Sequence, residues 1–354
     1  MYPRLRIDLQ KFKHNAKTLL DLCNLHGISL AAVTKVFCAD SELVKVLCDL
    51  PFEFLADSRL DNIESYPKNR KARSLLLRLP SPSEAGRVVQ SCDVSCNSEL
   101  YTLKRLSEEA AKQNKNHGII LMIDMGDLRE GIYHGNKELI NETADFIRAQ
   151  SNLIFEGIGV NLTCYGGILP TNENLTALRD IARGLKVKII SGGNSSSLYL
   201  LEKGEMPEGI NHLRLGESII RGIETAFTLP FTGLELDVVT LEAEIIECMK
   251  KPSMPEGEKG FDAFGQVPHF EDTGIRQRAI LAVGRQDTDF EGLTCLNPAV
   301  KVAGASSDHL IVDVTDIDLK VGDTLEFSMS YGAILAGFTS KYVKRDYQSF
   351  VKKT

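Results

Sequence analysis

Short apolar runs alternate with amphipathic stretches between Ile28 and Gly222, and this alternation predicts strands separated by helices. The runs with the length and composition of buried strands are ISLAAVT, FEFLAD, SLLLRL, CDVSC, GIILMID, FEGIGVNL, VKIISGG and NHLRLG. Several of the helical stretches between them, such as SELVKVLCDL, open on a Ser, Asn or Asp that can cap a helix. Repeated strand–helix units of about 25 residues predict a closed (β/α)8 TIM barrel in an α/β protein, with a doubly wound open sheet as the alternative.

The pattern changes after Ile223, where apolar and polar residues alternate with a period of two. Stretches such as TGLELDVVTLEAEIIECMKK, DHLIVDVT and DTLEFSM predict strands with one buried face. We therefore expect a smaller C-terminal all-β domain at residues 229–354 and a barrel at residues 11–228. Residues 1–10 contain the run PRLRIDL, which lies outside the repeat and is expected to pair with the β domain.

The composition narrows the class of protein. A formal net charge of −7 over 354 residues disfavours nucleic acid as a partner, because phosphate binding requires a clustered basic surface. Apolar runs stay far below the ~18 residues of a membrane-spanning helix, so no membrane partner is expected. The eight cysteines are scattered without metal-ligand spacing, which favours a reduced, cytoplasmic enzyme without a structural metal.

Polar residues at the carboxyl ends of the predicted strands are the candidates for chemistry, because barrel active sites lie at that end. In chain order these are Lys35, Asp57, Asn97, Arg129, Asn161, the loop SGGNSSS and Arg214. Lys35 stands just after the apolar run AAV. The alternative to a chemical role is an ordinary strand-end lysine whose ammonium group reaches water. The SGGNSSS and RLGES stretches offer glycine backbone and hydroxyl groups to an anion. One lysine and one phosphate-sized anion site suggest pyridoxal 5′-phosphate as the cofactor.

Five stretches carry a resemblance to a known family: AAVTKVFCAD, FLADSRLDNI, GNSSS, LRLGE and YGAILAGFTSKYVKR. Together they resemble the fold-type III pyridoxal-phosphate amino-acid racemases of the alanine racemase type, and within it the ornithine racemases. The resemblance implies a barrel followed by a β domain. It also implies a homodimer that shares its active sites and exchanges the Cα proton of an amino acid.

The resemblance implies a role for three charged residues. Lys35 matches the lysine that forms the Schiff base with the cofactor. Arg214, in HLRLG, matches the arginine that faces the pyridine nitrogen. Arg129, in DMGDLREGI, matches an arginine near the cofactor oxygen and the substrate carboxylate.

The cofactor phosphate is assigned by the same resemblance to two loops and one tyrosine. Asn194 and Ser195 fall on the phosphate loop, with the backbone of Gly216 and Glu217 beside it. Tyr342 is the expected phosphate donor near the C-terminus.

The chain departs from the family pattern at three positions. Asn161 stands at a cofactor-binding position that is commonly histidine, and Ala39 stands where a tyrosine usually follows the lysine. Phe264 occupies the place of the catalytic tyrosine that the partner subunit supplies, and phenylalanine cannot transfer a proton.

Racemisation requires a second proton-carrying group besides Lys35. The candidates are Cys164, Tyr165, Asp262, His269 and Asp287, of which we prefer Cys164 because a thiol near cationic groups can titrate within range. A second ammonium on the substrate, as in ornithine, would need a carboxylate partner. Asp287 and Asp289, in GRQDTD, are the acids expected to provide it.

The predicted function is thus the interconversion of L- and D-ornithine. Lysine or alanine remain alternative substrates, and decarboxylation or aldol chemistry is disfavoured by Arg214. A non-catalytic pyridoxal-phosphate-binding protein is the remaining alternative, which the extra β domain disfavours and the loss of the tyrosine favours.

Overall fold

A computed structural model describes residues 1–265, 267 and 269–348. The chain folds into two units, residues 11–236 and residues 1–10 with 237–354. Strand β1 (Arg4–Asp8) leads directly into helix α1 (Leu9–Leu25). The division after residue 236 falls beyond the boundary that the sequence pattern suggested at 228, because the short strand at 229–230 pairs within the first of these units.

The 11–236 unit is a closed parallel barrel surrounded by helices. Its strands are β2 (Ser29–Val33), β3 (Phe54–Asp57), β4 (Arg73–Leu76), β5 (Val94–Asn97), β6 (His117–Asp124), β7 (Ile132–Tyr133), β8 (Leu153–Gly159), β9 (Ile189–Ser191) and β10 (His212–Leu215), followed by β11 (Ile223–Glu224) and β12 (Leu229–Pro230). The strand order is β5-β4-β3-β2-β10-β9-β8-β6-β7, and β5 also pairs with β6. This last pairing closes eight strands of the described chain into a ring and confirms the predicted barrel.

Helices and short 3-10 turns connect the barrel strands. The helices are α2 (Ser41–Cys48), α3 (Leu60–Glu64), α4 (Ala85–Ser91), α5 (Leu100–Lys112), α6 (Lys137–Ala149), α7 (Asn172–Leu185), α8 (Leu198–Glu202) and α9 (Glu217–Arg221). The 3-10 turns are Lys35–Phe37, Pro82–Glu84 and Ser195–Ser197. Polar caps begin several helices as the sequence indicated: the Asp40 carboxylate accepts backbone N–H groups of α2, and Thr171 forms a capping box with Asn174 at α7.

The barrel has an inner and an outer apolar core. Small and branched side chains and one phenylalanine pack together there, among them Ala31, Val33, Phe54, Val94 and Ile120. A second cluster packs α6, α7 and α8 against the outside of β6, β8 and β9. A side chain at position 157 would collide with the backbone of Ile189, so glycine is required where β8 meets β9.

The other unit is a mainly antiparallel sheet, in which only β1 and β19 pair in parallel, with one helix in its described part. Its elements after β1 are β13 (Val239–Pro252), β14 (Ile275–Leu281), a 3-10 turn (Phe290–Gly292), β15 (Leu293–Cys295), β16 (Lys301–Ala305), β17 (Leu310–Asp313), β18 (Thr324–Met329), α10 (Tyr331–Thr339) and β19 (Lys344–Gln348). The main path is β15-β18-β13-β14-β17-β16, and β1 pairs with both β13 and β19. Helix α10 departs from a purely β domain, because Ser330 caps the first turn of the apolar run that follows.

Candidate active site

Lys35 lies just beyond the carboxyl end of β2, where it opens a 3-10 turn and is half-buried. The residue before it, Thr34, is buried, and its hydroxyl lies 2.5 Å from Oδ2 of Asp57 and 2.7 Å from the Tyr66 hydroxyl. These contacts hold the backbone that carries Lys35. Cys38 follows with a φ of +50°, a left-handed conformation that a non-glycine residue adopts at a cost.

Asp57, another of the predicted strand-end residues, supports the Lys35 turn from β3. One of its oxygens accepts from Thr34, and the other accepts from the Arg59 backbone at 2.9 Å and from Asn62 Nδ2 at 3.0 Å. Burial raises the pKa of the Asp57 carboxyl, although these hydrogen bonds oppose the rise. Its contacts are therefore those of a structural support within the barrel.

Two segments form what we call the open side of the site: residues 192–197 after β9, which end in the 3-10 turn Ser195–Ser197, and residues 216–221 after β10, which include α9. Ser196 Oγ and Ser218 Oγ are buried there and have no hydrogen-bond partner among the described residues. Ser195 Oγ accepts from the Ser218 backbone N–H at 3.3 Å, which brings the two loops together. Buried hydroxyl groups without partners are costly in a folded chain and call for a ligand or water that satisfies them.

Glycine allows the open side to pack closely. Gly193 has a φ of +114°, and a Cβ there would lie 2.7 Å from Ser197 Oγ. A Cβ at Gly216 would lie 2.8 Å from the backbone oxygen of Val33, the last residue of β2. The open side therefore adjoins the strand that carries Lys35.

Asn194 and Glu217, which the sequence assigned to the phosphate loops, have side chains that are engaged within the chain. Asn194 Oδ1 accepts from the Ser196 N–H at 2.8 Å, and its Nδ2 lies 3.2 Å from Cys164 Sγ. Glu217 accepts from Arg221 at 2.5 Å. Burial raises the pKa of the Glu217 carboxyl, while Arg221 and Lys35 act against the rise, which places Glu217 within electrostatic reach of Lys35.

Arg214 projects from β10 and is fully buried. Its Nη1 donates to Ser191 Oγ, and its Nη2 donates to the Val160 carbonyl at 2.7 Å and to Asn161 Oδ1 at 2.5 Å. A Cβ at Gly159 would come within 3.3 Å of Nη1, so this glycine leaves room for the guanidinium group. Burial lowers the pKa of Arg214, but an arginine remains charged at physiological pH.

The loops that follow β6 and β8, residues 125–131 and 160–168, form what we call the paired side. Arg129 donates through Nη2 to Glu130 Oε1 at 2.6 Å, and its Nε forms an ion pair with Oε2 of the same carboxylate. Asn161 Nδ2 donates to Glu130 Oε1, while its Oδ1 accepts from Arg214. A single chain of contacts therefore links Arg129 to Arg214 through Glu130 and Asn161. Sequence reasoning missed Glu130, for which its position beside Arg129 was the available signal.

Cys164 lies on the paired side, on a loop that is fixed by buried Asp127. The Asp127 carboxylate accepts the backbone N–H groups of Cys164, Tyr165 and Ile168 at 3.2, 2.9 and 3.1 Å. Cys164 is itself exposed, and desolvation by the surrounding chain raises the pKa of its thiol, which Arg129 and Lys35 only partly offset. The shift is opposite to the lowered pKa that nearby cations led us to expect.

The remaining sequence candidates belong to the other unit. Asp287 is buried; its carboxylate accepts from the Gly284 N–H at 3.1 Å and from Ser340 Oγ at 3.3 Å. Arg285 stacks on the ring of Phe264, with its guanidinium carbon 4.5 Å from the ring centre.

Four further candidates in that unit are more open. Asp262 Oδ1 accepts the Phe264 N–H at 2.9 Å. Tyr342 is exposed and has the Lys341 ammonium 5.1 Å above its ring. His269 and Asp289 are exposed.

Two searches of the described chain complete this picture. Across residues 1–265, 267 and 269–348, no group of three His, Cys, Asp or Glu side chains is arranged to hold a metal ion. In the same part of the chain, no helix has the length and hydropathy needed to cross a membrane.

Comparison with known proteins places the barrel in a family. Residues 7–222 match the model of the alanine racemase N-terminal domain. The chain belongs to the alanine racemase N-terminal domain family. This confirms the resemblance seen in the strand-end motifs, since those from Lys35 to Glu217 all fall within the matched range.

Two relatives match this family member over nearly its whole length. An ornithine racemase of Acetoanaerobium sticklandii is 47% identical over 354 residues, covering 98% of this chain and 99% of that protein. A lysine racemase of Thermotoga maritima is 40% identical over 356 residues, again covering 98% of this chain and 99% of that protein.

Solved structures share the fold at lower sequence identity. Alanine racemase from Streptomyces lavendulae superposes with a TM-score of 0.74 at 17% identity, covering 99% of this chain and 97% of that one. Alanine racemase from Bartonella henselae, solved with covalently bound pyridoxal phosphate, gives the same TM-score and identity over 98% of this chain and 100% of that one. These likenesses confirm the predicted fold class.

Proposed function

We propose that this protein is a pyridoxal 5′-phosphate-dependent amino-acid racemase that interconverts L- and D-ornithine. The observation that carries the proposal is the 47% identity to an ornithine racemase over nearly the full length of both chains. The barrel supports it with Lys35, Arg129 and Arg214 at the strand ends where such chemistry takes place.

The open side suits the cofactor phosphate. Ser196 Oγ and Ser218 Oγ are buried hydroxyl groups with no partner among the described residues, and a phosphate offers acceptor oxygens to both. The positive φ of Gly193 and the close packing of Gly216 bring backbone to the same place. Asn194 and Ser195 support this proposal by fixing the loop, because Asn194 holds the Ser196 N–H and Ser195 joins the two loops.

The cofactor, when bound, supplies an aldehyde to hold the amino group of the substrate and a ring that acidifies the Cα proton. Lys35 would hold that aldehyde before the substrate does, and its freed amine would then move the Cα proton. Arg214 would face the ring nitrogen through Nε. Its Nη1 and Nη2 already donate to Ser191, Val160 and Asn161, and Nε makes no such contact among the described residues. A permanent cation there disfavours protonation of that nitrogen.

Arg129 would bind the substrate carboxylate. Its Nε and Nη2 are paired with Glu130, and Nη1 takes no part in that pairing. A guanidinium edge presented by a fixed arginine suits a planar carboxylate. Tyr342 remains our prediction for a further phosphate donor.

Cys164 is our proposal for the second proton-carrying group. The charges of Lys35 and Arg129 both act on its thiol, which supports this proposal. A thiol with a raised pKa keeps its proton at neutral pH, so in the direction where Lys35 removes the Cα proton, Cys164 would donate one. Tyr165, Asp262, His269 and Asp287 remain the alternatives.

Ornithine carries a second ammonium group, and Asp287 remains our prediction for its partner. A buried carboxylate can accept an ammonium in addition to its present donors, since each of its oxygens has two lone pairs. Lysine is the second candidate substrate, favoured by the 40% identity to a lysine racemase. We also propose that the protein is a homodimer and that it acts in the cytoplasm.

The decisive experiment is α-proton exchange in deuterated water, followed by NMR, with chiral analysis of each product. The holoprotein is incubated separately with L-ornithine, L-lysine and L-alanine. Exchange with inversion on ornithine, faster than on the other two, is the expected result. Exchange without inversion would remove Cys164 from its role, and no exchange on any of the three would overturn the proposal.

Substitution of Lys35 by alanine is the matching test of the site. Lys35→Ala should lower racemisation at least ~10³-fold and abolish the visible absorbance of the bound cofactor, because no other group would hold the aldehyde. Lys104→Ala, on the exposed face of α5, removes the same group far from the strand ends and should leave both signals unchanged. A Lys35→Ala enzyme with normal activity would contradict the assignment.

A further inference from the structure

We propose that Glu130 is the positioning residue of this site, which locks the substrate-binding Arg129 and, through Asn161, the ring-facing Arg214 into one array. This inference deepens the proposed function and rests on it for the roles of the two arginines. Nothing in the motifs that identify the family points to Glu130.

The contacts of Glu130 use both of its oxygens. Oε1 accepts from Arg129 Nη2 at 2.6 Å and from Asn161 Nδ2, and Oε2 forms an ion pair with Arg129 Nε. A carboxylate held by two hydrogen bonds and an ion pair is fixed in orientation, and it fixes its partners in turn. Asn161 donates to Glu130 through its side-chain nitrogen and accepts from Arg214 through its side-chain oxygen. These two contacts fix the orientation of the Asn161 amide.

Burial separates Glu130 from an ordinary surface acid. Only 17% of its side chain is exposed, against 39% for Arg129. The ion pair with Arg129 is open to water and by itself contributes little, whereas the hydrogen bond that Glu130 accepts from Asn161 Nδ2 is part-buried and better shielded.

Charge balance gives a second reason for a carboxylate at this place. Arg129 and Arg214 repel each other within the barrel, and the charge of Arg129 contributes to the lowering of the Arg214 pKa. Glu130 lies between them and opposes that effect. With its charge in place, the pair of arginines carries a net charge of about +1 toward a substrate that brings one carboxylate.

The array also selects which donors remain for ligands. Arg129 keeps Nη1 and Arg214 keeps Nε, since their other nitrogens are engaged by described residues. Removing the charge of Glu130 while keeping its shape should therefore increase the mobility of the Arg129 side chain strongly, and that of Arg214, which is reached only through Asn161, less.

The experiment compares Glu130→Gln with Glu142→Gln, the same chemical change on the exposed face of α6. Phenylglyoxal labelling of the apoprotein, mapped by mass spectrometry, reports the freedom of each arginine without needing activity. We expect Arg129 to label at least fivefold faster in Glu130→Gln and at the wild-type rate in Glu142→Gln. Equal Arg129 labelling in all three proteins would overturn the inference.

Steady-state kinetics and cofactor titration provide the second readout. In Glu130→Gln, the KM for L-ornithine should rise about tenfold with kcat changed less than threefold, and the Kd for pyridoxal phosphate should rise about threefold. If KM and Kd both stay within twofold of wild type, Glu130 is no positioning residue. Should Glu130→Gln fail to fold, Glu130→Asp keeps the charge with a shorter reach and should show the same rise in Arg129 labelling. A wild-type protein without racemisation would refute the proposed function, whereas the labelling result stands independently.

Discussion

The open side and the paired side of the barrel end satisfy their polar groups in opposite ways. On the open side, Ser196 Oγ and Ser218 Oγ are buried without a partner among the described residues. On the paired side, Glu130 and Asp127 each accept several hydrogen bonds from the chain itself. The first region leaves buried hydroxyl groups without a partner among the described residues, whereas the acidic side chains of the second are held by contacts within the chain.

This difference separates two tasks that one site must perform. A buried donor without a partner lowers the stability of the free protein, and binding of an anion to that donor restores the lost stability. A satisfied network stabilises the free protein and holds charges in position for catalysis. Substitutions on the two sides should therefore change stability in opposite directions.

Ser196→Ala combined with Ser218→Ala gives the largest expected effect. Each lost hydrogen bond to a charged phosphate should cost about 1.5 kcal/mol, so the Kd for pyridoxal phosphate should rise about 100-fold in the double variant. The free energy of unfolding of the apoprotein should stay equal or increase, because two unpaired hydroxyl groups are removed. Fluorescence titration and urea unfolding measure the two quantities.

Ser197→Ala is the control for that prediction, since Ser197 Oγ already donates to the Gly192 carbonyl at 2.7 Å. Its removal should lower apoprotein stability. An apoprotein that loses stability equally in all of these variants would erase the distinction between the two sides.

Asp127→Asn tests the paired side. An amide group can accept on one atom only, so at least one of the three backbone N–H groups of the Cys164 loop loses its partner. We expect the apoprotein to lose about 2 kcal/mol of unfolding free energy and the Cys164 thiol to react faster with Ellman's reagent.

The matched control for this substitution is Asp145→Asn, which removes an exposed carboxylate that pairs with Arg148 on α6. It should cost less than about 1 kcal/mol. Equal losses from the two substitutions would show that the Asp127 loop is no more tightly held than the surface.

His212 provides an effect that depends on pH. Burial, aided by the charge of Arg214, lowers the pKa of His212 to about 3. In the unfolded chain the imidazole takes up a proton below about pH 6.5, whereas the folded protein keeps it neutral until about pH 3. Stability therefore falls as pH falls through this window, by about 1.4 kcal/mol per pH unit from this group.

His212→Asn should flatten that part of the stability curve, as measured by urea unfolding between pH 7 and pH 5. His117, whose pKa burial lowers to about 4, stays in both proteins, so its contribution cancels in the comparison. Parallel curves for wild type and variant would show that His212 is not neutral in the folded protein.

Much of the fold could be predicted from the sequence because the signals are local. Apolar runs bounded by turn residues marked each barrel strand, and capping residues such as Asp40 marked helix starts. The unit boundary was harder to place, because the pairing of Leu229–Pro230 with Ile223–Glu224 leaves no periodic pattern in the sequence. Helix α10 was hidden by an apolar run that suits either a strand or a helix.

The sequence by itself determined which residues stand at the strand ends, because a parallel barrel brings all carboxyl ends to one side. Lys35, Arg129, Asn161 and Arg214 were accessible in this way. Only the tertiary structure decided which side chains pair. Glu130 links two arginines, directly and through Asn161, and Asp127 holds the Cys164 loop. Two buried serine hydroxyl groups have no partner among the described residues. Hydrogen bonding depends on distances of a few tenths of an ångström between residues far apart in the chain, and residue order does not encode those distances locally.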